Sequence, residues 1–345
     1  MGGRLGALVA LQAAVAVAWK AYAYFQPRLL AHFGFDALAS VFGWYLALAG
    51  TTLAPLAGDA SDRLVRSGGD RFPLVRAGVG LAAASFLAVA LTAMAEAGSP
   101  VRFVLPLFVA VWIAGMTLFQ APALAILRDL AGRDVTAGAM APLVVASLLP
   151  TVLWPWLEPV LATLGGSITF LAGGVAVTAT AFALGRSVPV PAGPDSADRP
   201  GAPPLVAFAA GVVSAVVAVL ASEVVPTILA RSGPVGPEGL AAVAAVAAAS
   251  VAAMGGRLRS MTDERTALLA GAAMAIVGRA IAPVCAGRVA AIAVSAVAGV
   301  GLGLHLVTAL PYLLSAGPRG RAGLVTGLYL GGAMLGTRLV SLLAA

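Results

Sequence analysis

Residues 58–78 read GDASDRLVRSGGDRFPLVRAG, with four arginines and three aspartates in one short segment. On both sides of this segment the chain is long, apolar and almost free of charge. Such an alternation is typical of a protein that crosses a membrane repeatedly, because each helical crossing needs about 20 apolar residues. The segment therefore indicates a membrane fold, and its dense charge needs an explanation of its own.

The composition of the whole chain points the same way. Of its 345 residues, 61% are hydrophobic and only 10% are charged, whereas soluble domains have about 25% charged residues. We therefore predict an all-α, polytopic membrane helix bundle. A single cysteine excludes an internal disulfide. The sequence shows neither a phosphate-binding glycine loop nor a metal-ligand spacing, so we expect no enzymatic activity and no cofactor.

Apolar runs separated by charged residues, proline or glycine predict about eleven membrane-spanning helices. The predicted spans are residues 5–26, 38–57, 74–95, 103–127, 137–157, 161–185, 204–230, 239–256, 266–286, 289–315 and 322–344.

A proline-rich segment divides these spans into two halves. We predict an N-terminal six-helix half at residues 1–186, a cytoplasmic linker at 187–203, and a C-terminal half of about five helices at 204–345. Pro122 and Gly138 recur at a constant offset as Pro311 and Gly327. This echo predicts that the halves are pseudo-repeats, a plan known from membrane transporters.

The arginines predict the orientation of the chain. Fourteen of them lie in the loops on the N-terminal side of the membrane and four in the opposite loops. Since loops rich in Lys and Arg remain in the cytoplasm, we predict a cytoplasmic-membrane protein with its N-terminus inside. Eleven spans then place the C-terminal Ala345 outside. The net charge of +7 reflects this topology, and we expect no nucleic-acid partner.

Three segments resemble the major facilitator superfamily. Residues 55–63 (PLAGDASDR) and 68–73 (GGDRFP) are similar to the loop after its second helix. The resemblance is strongest to the glycoside–pentoside–hexuronide cation symporters and the plant-type sucrose/proton symporters. Residues 120–129 (QAPALAILRD) resemble the end of the fourth helix in that group. Residues 311–315 (PYLLS) and 323–329 (GLVTGLY) resemble its junction of helices ten and eleven.

The resemblance implies a secondary active transporter that moves a small polar solute by alternating access, with protons as the coupling ion. The subgroup implies a sugar or glycoside, and the in-span cations would suit an organic anion equally well. Two departures stand out: Gln120 replaces the group's arginine, and Gly69-Asp70-Arg71 replaces its G-R-R run. These departures and the count of eleven helices motivate an alternative, a non-transporting assembly factor or subunit of a larger membrane complex.

Polar side chains inside the spans are candidates for binding and coupling, because a charge there costs about 2.5–3.5 kcal/mol. In the superfamily's plan, helices one, four, seven and ten line the cavity. Lys20, Gln120, Glu223 and His305 lie on those helices, and Arg338 lies on helix eleven. Glu223 is the candidate proton site, with Lys20 as a mobile or a static partner. For His305 a packing role, and for Gln120 a bond between helices, remain open.

A second group of charges lies where the second and fourth helices end. Asp59, Asp62 and Arg63 follow the second helix, and Arg128 and Asp129 follow the fourth. Carboxylates and guanidinium groups at such positions can pair with neighbouring charges or helix ends when the inner side is shut. We predict a conformational gate here. The alternative is a solvated loop that only sets the topology.

Overall fold

The computed structural model describes residues 2–96, 98–131, 136–187, 203–231, 235–257, 262–318 and 320–344. Within these ranges all regular structure is helical. The main helices are α1 (Gly2–His32), α2 (Leu38–Arg66), α3 (Phe72–Ala93), α4 (Leu105–Ala131), α5 (Ala137–Val152), α6 (Trp154–Ser187), α7 (Pro204–Ala230), α8 (Pro237–Ala253), α9 (Glu264–Ile281), α10 (Arg288–Ala316) and α11 (Ala322–Ala344).

In the described part of the chain, nine of these helices are long and apolar enough to span a membrane. The apolar helices α5 and α8 are shorter. Large apolar side chains such as Leu56, Val175 and Leu269 are exposed on the outside of the bundle, and so much exposed apolar surface is stable only against lipid. The chain is therefore an integral membrane protein, which confirms the predicted all-α membrane bundle.

The second predicted span was too short. It ended at residue 57, whereas α2 continues to Arg66, so Asp59, Asp62 and Arg63 are helical rather than part of a loop. Apolar composition marks where lipid contact ends, but backbone hydrogen bonding continues a helix beyond that point. The turn that follows contains Gly68 at φ 85°, a left-handed conformation that favours glycine.

The sixth helix is interrupted near its start. Gly165 has φ 74° and ψ 168° inside α6, and helical geometry resumes after it. Only glycine adopts this conformation without strain. The segment before Gly165 carries Trp154 and Glu158, which thus lie on a short separate helical piece between α5 and the long remainder of α6.

Helices α2 and α11 pack together along much of their length. A Cβ atom at Gly58 would lie 2.1 Å from the backbone oxygen of Gly323, and one at Gly327 would lie 2.3 Å from that of Ala54. Small residues allow this close approach of two membrane helices. Together with α5 against α8, this pair joins the earlier helices to the later ones.

Buried apolar side chains form two clusters. One lies mainly among α1–α4 and α6, and the other mainly among α7–α10 with part of α5. Most of the predicted linker, residues 188–202, lies outside the described ranges. The division at 187–203 and the pseudo-repeat stay predictions.

Candidate functional site

A cavity of about 520 Å³ lies between α1, α5 and α6 on one side and α7 and α8 on the other. Its charged lining residues are Lys20, Arg28, Glu158, Glu223 and Glu238. Two cations and three carboxylates thus line one cavity between the early and the late helices, and its volume suits a small solute. Lys20 and Glu223 were predicted as site residues, and the structure brings both to this cavity.

Glu223 lies on an irregular turn of α7. Residues Leu220–Val224 form a π-helical turn between the two α-helical parts of this span. Pro226 lies two residues after this turn and has no backbone N–H to donate. π-Helical insertions shift the direction of side chains and are frequent at functional sites. Here Ala221 and Val225 are buried, while Glu223 is exposed toward the cavity.

Lys20 is positioned by an aromatic ring and by several carboxylates. Its ammonium nitrogen lies 4.7 Å from the ring centroid of Trp154, a cation–π contact. Three carboxylates, those of Glu223, Glu238 and Glu158, line the same cavity as Lys20 and attract its ammonium group. Among the described ion pairs, none joins Lys20 to Glu223. The two residues are therefore coupled by their charges without forming a direct salt bridge in this conformation.

The opposite end of the bundle contains a buried charge network formed by Ser61, Asp62, Arg71 and Asp129, here named the Arg71 network. The Arg71 guanidinium donates from Nη1 to Asp62 Oδ1 at 2.6 Å and from Nε to Asp129 Oδ2 at 3.0 Å. Nη1 also donates to Ser61 Oγ at 2.8 Å. Arg71 lies between α2 and α3, so one side chain connects the ends of α2 and α4.

The carboxylate of Asp62 also holds the first turn of α11. Its oxygens accept from the amides of Gly323 at 2.9 Å and Leu324 at 2.8 Å. Amides in the first turn of a helix lack partners within the helix, and a carboxylate there is favoured by the helix dipole. Asp62 is fully buried. It thus serves α11 as a capping group supplied by a different helix.

Arg71 remains charged at this position. Burial lowers the pKa of its guanidinium, but the charges of Asp129 and Asp62 and their hydrogen bonds outweigh burial, so the pKa lies above its ordinary value. Two acidic side chains thus share the one guanidinium of Arg71, and the α11 amides face the carboxylate of Asp62.

Two further contacts tie the same end of the bundle together. Arg128 on α4 donates to the backbone oxygen of Leu314 on α10. Arg66 donates from Nη1 to the backbone oxygen of Gly320, just before α11, at 3.0 Å. With the Arg71 network, these contacts close this end of the bundle.

The predicted gate residues thus have two different roles. Asp62, Arg128 and Asp129 join separate helices, whereas Arg63 pairs with Asp59 one turn earlier on α2, at 2.6 Å. The Arg63 side chain is 74% exposed. Arg71, which the sequence interpretation explained by topology alone, is the centre of the network.

His305 lies outside the cavity lining, in a packed hydrogen-bond chain between helices. Its Nδ1 faces the backbone oxygen of Leu268 at 3.2 Å, and its Nε2 lies 2.9 Å from Ser214 Oγ. A carbonyl can only accept, so Nδ1 carries a proton, and in the neutral ring Nε2 accepts from the Ser214 hydroxyl. Ser214 also bonds the hydroxyl of Tyr329. Four helices meet at this chain.

Gln120 and Arg338 also lie outside the cavity lining. Arg338 donates from Nη2 to Ser40 Oγ at 2.9 Å, and its Cζ lies 5.3 Å from the ring centroid of Trp44. It therefore joins α11 to α2 at the end opposite the Arg71 network. The Nε2 atom of Gln120 is buried and has no hydrogen-bond partner in the described structure.

The charged residues Arg28, Glu158 and Glu238 and the aromatic Trp154 line the cavity but were not predicted as site residues. All lie near helix ends, where charged and aromatic residues are common at a membrane interface. The break at Gly165 was the available signal, because it separates Trp154 and Glu158 from the rest of α6. Among the described residues, no cluster of His, Cys, Asp or Glu could hold a metal ion.

No protein-family model matches the sequence, and no curated protein matches it. Among solved structures, the chain is similar to the human organic anion transporter MFSD10 (TETRAN), with a TM-score of 0.67 and 15% sequence identity. The similarity covers 98% of this chain and 92% of that one. At this identity it establishes the fold and leaves the substrate open. The chain has a major-facilitator-like fold, and the sugar-symporter subgroup stays a prediction.

Proposed function

We propose that the protein is a secondary active transporter that moves a small polar solute by alternating access. A single observation carries this proposal: a charged cavity lies between early and late helices, while the opposite end is closed by the Arg71 network. A carrier must expose its site to one side of the membrane at a time. With the N-terminus in the cytoplasm, this conformation is open to the outside of a cytoplasmic membrane.

Glu223 is the proposed proton site. It faces the cavity from the π-helical turn, and Lys20 is the charge that acts on it. Protonation would remove one of the three carboxylates that attract Lys20, leaving Glu238 and Glu158. The position of the Lys20 ammonium group would then depend on whether Glu223 is protonated. A solute in the cavity would meet a different electrostatic field in the two states. Binding of solute and proton would be coupled in this way.

The lining suits both solute classes that the sequence suggested. Lys20 and Arg28 offer two cations to an organic anion, which is the cargo in the description of the similar human protein. The carboxylates offer hydrogen-bond acceptors to the hydroxyl groups of a sugar, and Tyr24 lines the same cavity. One face of the Tyr24 ring lies against Arg28, whose guanidinium carbon is 3.6 Å from the ring centroid. We therefore propose to test organic anions and sugars side by side as substrates.

The test is flux into proteoliposomes under an imposed pH gradient, with labelled organic anions and sugars and with protein-free liposomes as the control. We expect accumulation of at least one solute that collapses when a protonophore dissipates the gradient. Absence of gradient-driven flux over the whole panel would contradict the proposal. Stoichiometric co-purification with a large membrane complex would then favour the non-transporting alternative.

A further inference from the structure

Two apolar grooves meet on the outside of the bundle between α3 and α6, away from the cavity. The first has a volume of about 480 Å³ and is lined by residues that include Arg76, Gly80 and Arg186. The second, of about 460 Å³, continues past Ala83 and Leu87. Thr178 and Phe182 line both grooves, so the two form one continuous surface, here named the α3/α6 groove.

The α3/α6 groove has two arginines at one end and apolar walls beyond them. Arg76 and Arg186 are both exposed, and no ion pair of either is found among the described residues. The Arg186 guanidinium carbon lies 4.3 Å from the ring centroid of Phe182, which turns it toward the groove. Arg76 lies in the first turns of α3 and Arg186 in the last turn of α6. Both therefore lie at the level where lipid headgroups meet the bundle.

The length of the groove matches one leaflet of a bilayer. Residues 76 to 87 of α3 span about 16 Å at the helical rise of 1.5 Å per residue. Half of a hydrocarbon core of about 30 Å is nearly the same length. Gly80 leaves the middle of the groove open, because a Cβ there would meet no atom within 4 Å. An acyl chain of ordinary length therefore fits between the arginines and the bilayer midplane.

We propose that the α3/α6 groove binds an anionic phospholipid, with its phosphate between Arg76 and Arg186 and one acyl chain along the apolar walls. Basic pockets between membrane helices are suited to anionic headgroups, and a guanidinium binds phosphate through paired hydrogen bonds. A second copy of the chain is a poor occupant, since a symmetric contact would bring four arginines together. The site is independent of the solute cavity and of the proposed transport.

The test is native mass spectrometry of the purified protein with added phosphatidylglycerol or phosphatidylcholine, with inorganic phosphate as a competitor. We expect preferential binding of phosphatidylglycerol and about a fivefold loss of affinity in each of Arg76→Gln and Arg186→Gln. Arg265→Gln is the matched control, because Arg265 is an exposed arginine of α9 outside the groove. It should bind as the unmodified protein does.

A second variant tests the apolar part of the site. Gly80→Leu places a side chain in open space within the groove and should lower phosphatidylglycerol binding while both arginines remain. Inorganic phosphate should compete only weakly. Equal binding by all variants, an equal loss in Arg265→Gln, full competition by phosphate with no effect of Gly80→Leu, or dimerisation through this face would each overturn the proposal.

Discussion

Arg71 Nη1 lies 2.6 Å from Asp62 Oδ1 across the turn between α2 and α3, and both side chains are buried. The same carboxylate accepts from the amides of Gly323 and Leu324 in the first turn of α11. One buried carboxylate therefore connects a basic side chain of the early helices to the backbone of the last helix. Separation of α2 and α11 at this end must break the two bonds from Asp62 to the α11 amides, whereas the bond between Asp62 and Arg71 stays within the early helices.

Asp62→Asn should weaken this closed end strongly. The amide is uncharged, and its NH₂ group would face donors from Arg71 or from α11. Removing one partner of a buried ion pair costs about 3–5 kcal/mol, so thermal unfolding should occur at a clearly lower temperature. Asp59→Asn is the control, because its pair with Arg63 is an exposed pair within one helix, worth below about 1 kcal/mol. Equal loss in both variants would contradict the role assigned to Asp62.

Gly58→Ala should force α2 away from α11 without any change in charge. The added Cβ would lie 2.1 Å from the Gly323 oxygen, and overpacking of this kind costs about 1–3 kcal/mol. We expect lower stability and, in a Cys285→Ser background, faster labelling of a cysteine placed at Ala322, which is buried in the first turn of α11 at the closed end. Gly6→Ala on α1 meets no atom within 4 Å and should change neither. Unchanged labelling in Gly58→Ala would show that this contact does not keep the end closed.

The fold class could be predicted from the sequence because apolar length and composition directly reflect the membrane. The ends of the helices could not: α2 continues past its last apolar residues to Arg66. Asp62 and Asp129 were predicted as gate residues because the excess of basic residues in cytoplasmic loops does not account for acidic residues there. Arg71 was missed because the excess of arginines at this end already explained it. The partners of Asp62 on α11 are backbone amides, which any sequence provides.

The sequence also could not predict which face of each helix points into the cavity. Lys20 and Glu223 reach the cavity, whereas Gln120, His305 and Arg338 lie elsewhere, although all were placed on or beside cavity helices. Lipid-facing and core-facing positions of a membrane helix are both apolar. The sequence of α7 or α10 therefore carries little information on direction, and the π-helical turn at Glu223 adds a rotation that no periodicity predicts.

Glu223→Gln should remove coupling while the protein still folds. The side chain keeps its length and hydrogen-bonding reach but carries no titratable proton. Lys20 keeps Glu238 and Glu158 nearby, so folded yield should stay close to that of the unmodified protein. In proteoliposomes, pH-driven accumulation should fail while solute exchange persists.

A different outcome would assign Glu223 a structural role. If Glu223→Gln lowers the folded yield and a second change, Lys20→Met, restores it, the two residues stabilise the bundle as a pair. Normal pH-driven accumulation by a well-folded Glu223→Gln protein would exclude Glu223 as the coupling site.

Ser214→Ala should lower stability and leave the pH dependence of flux unchanged. It removes the donor to His305 Nε2, and an unsatisfied buried polar atom costs about 1–3 kcal/mol. Ser250→Ala on α8 is the control, since its exposed hydroxyl bonds only the oxygen of Val246 in its own helix. A shifted pH profile in Ser214→Ala would instead make His305 part of the proton pathway.

The central claim is that the closed end and the cavity open in alternation, and paired distance measurements test it most directly. In a Cys285→Ser background, spin labels at Ser67 and Ser315 report on the closed end, and labels at Val160 and Arg231 report on the cavity mouth. Pulsed electron paramagnetic resonance in nanodiscs would measure the distance within each label pair at high and at low pH. The protein with Glu223 intact would be compared with the Glu223→Gln variant. We predict two populations whose distances change in opposite directions, one pair lengthening as the other shortens. Two pairs that stay fixed under every condition, or that lengthen together, would contradict alternating access.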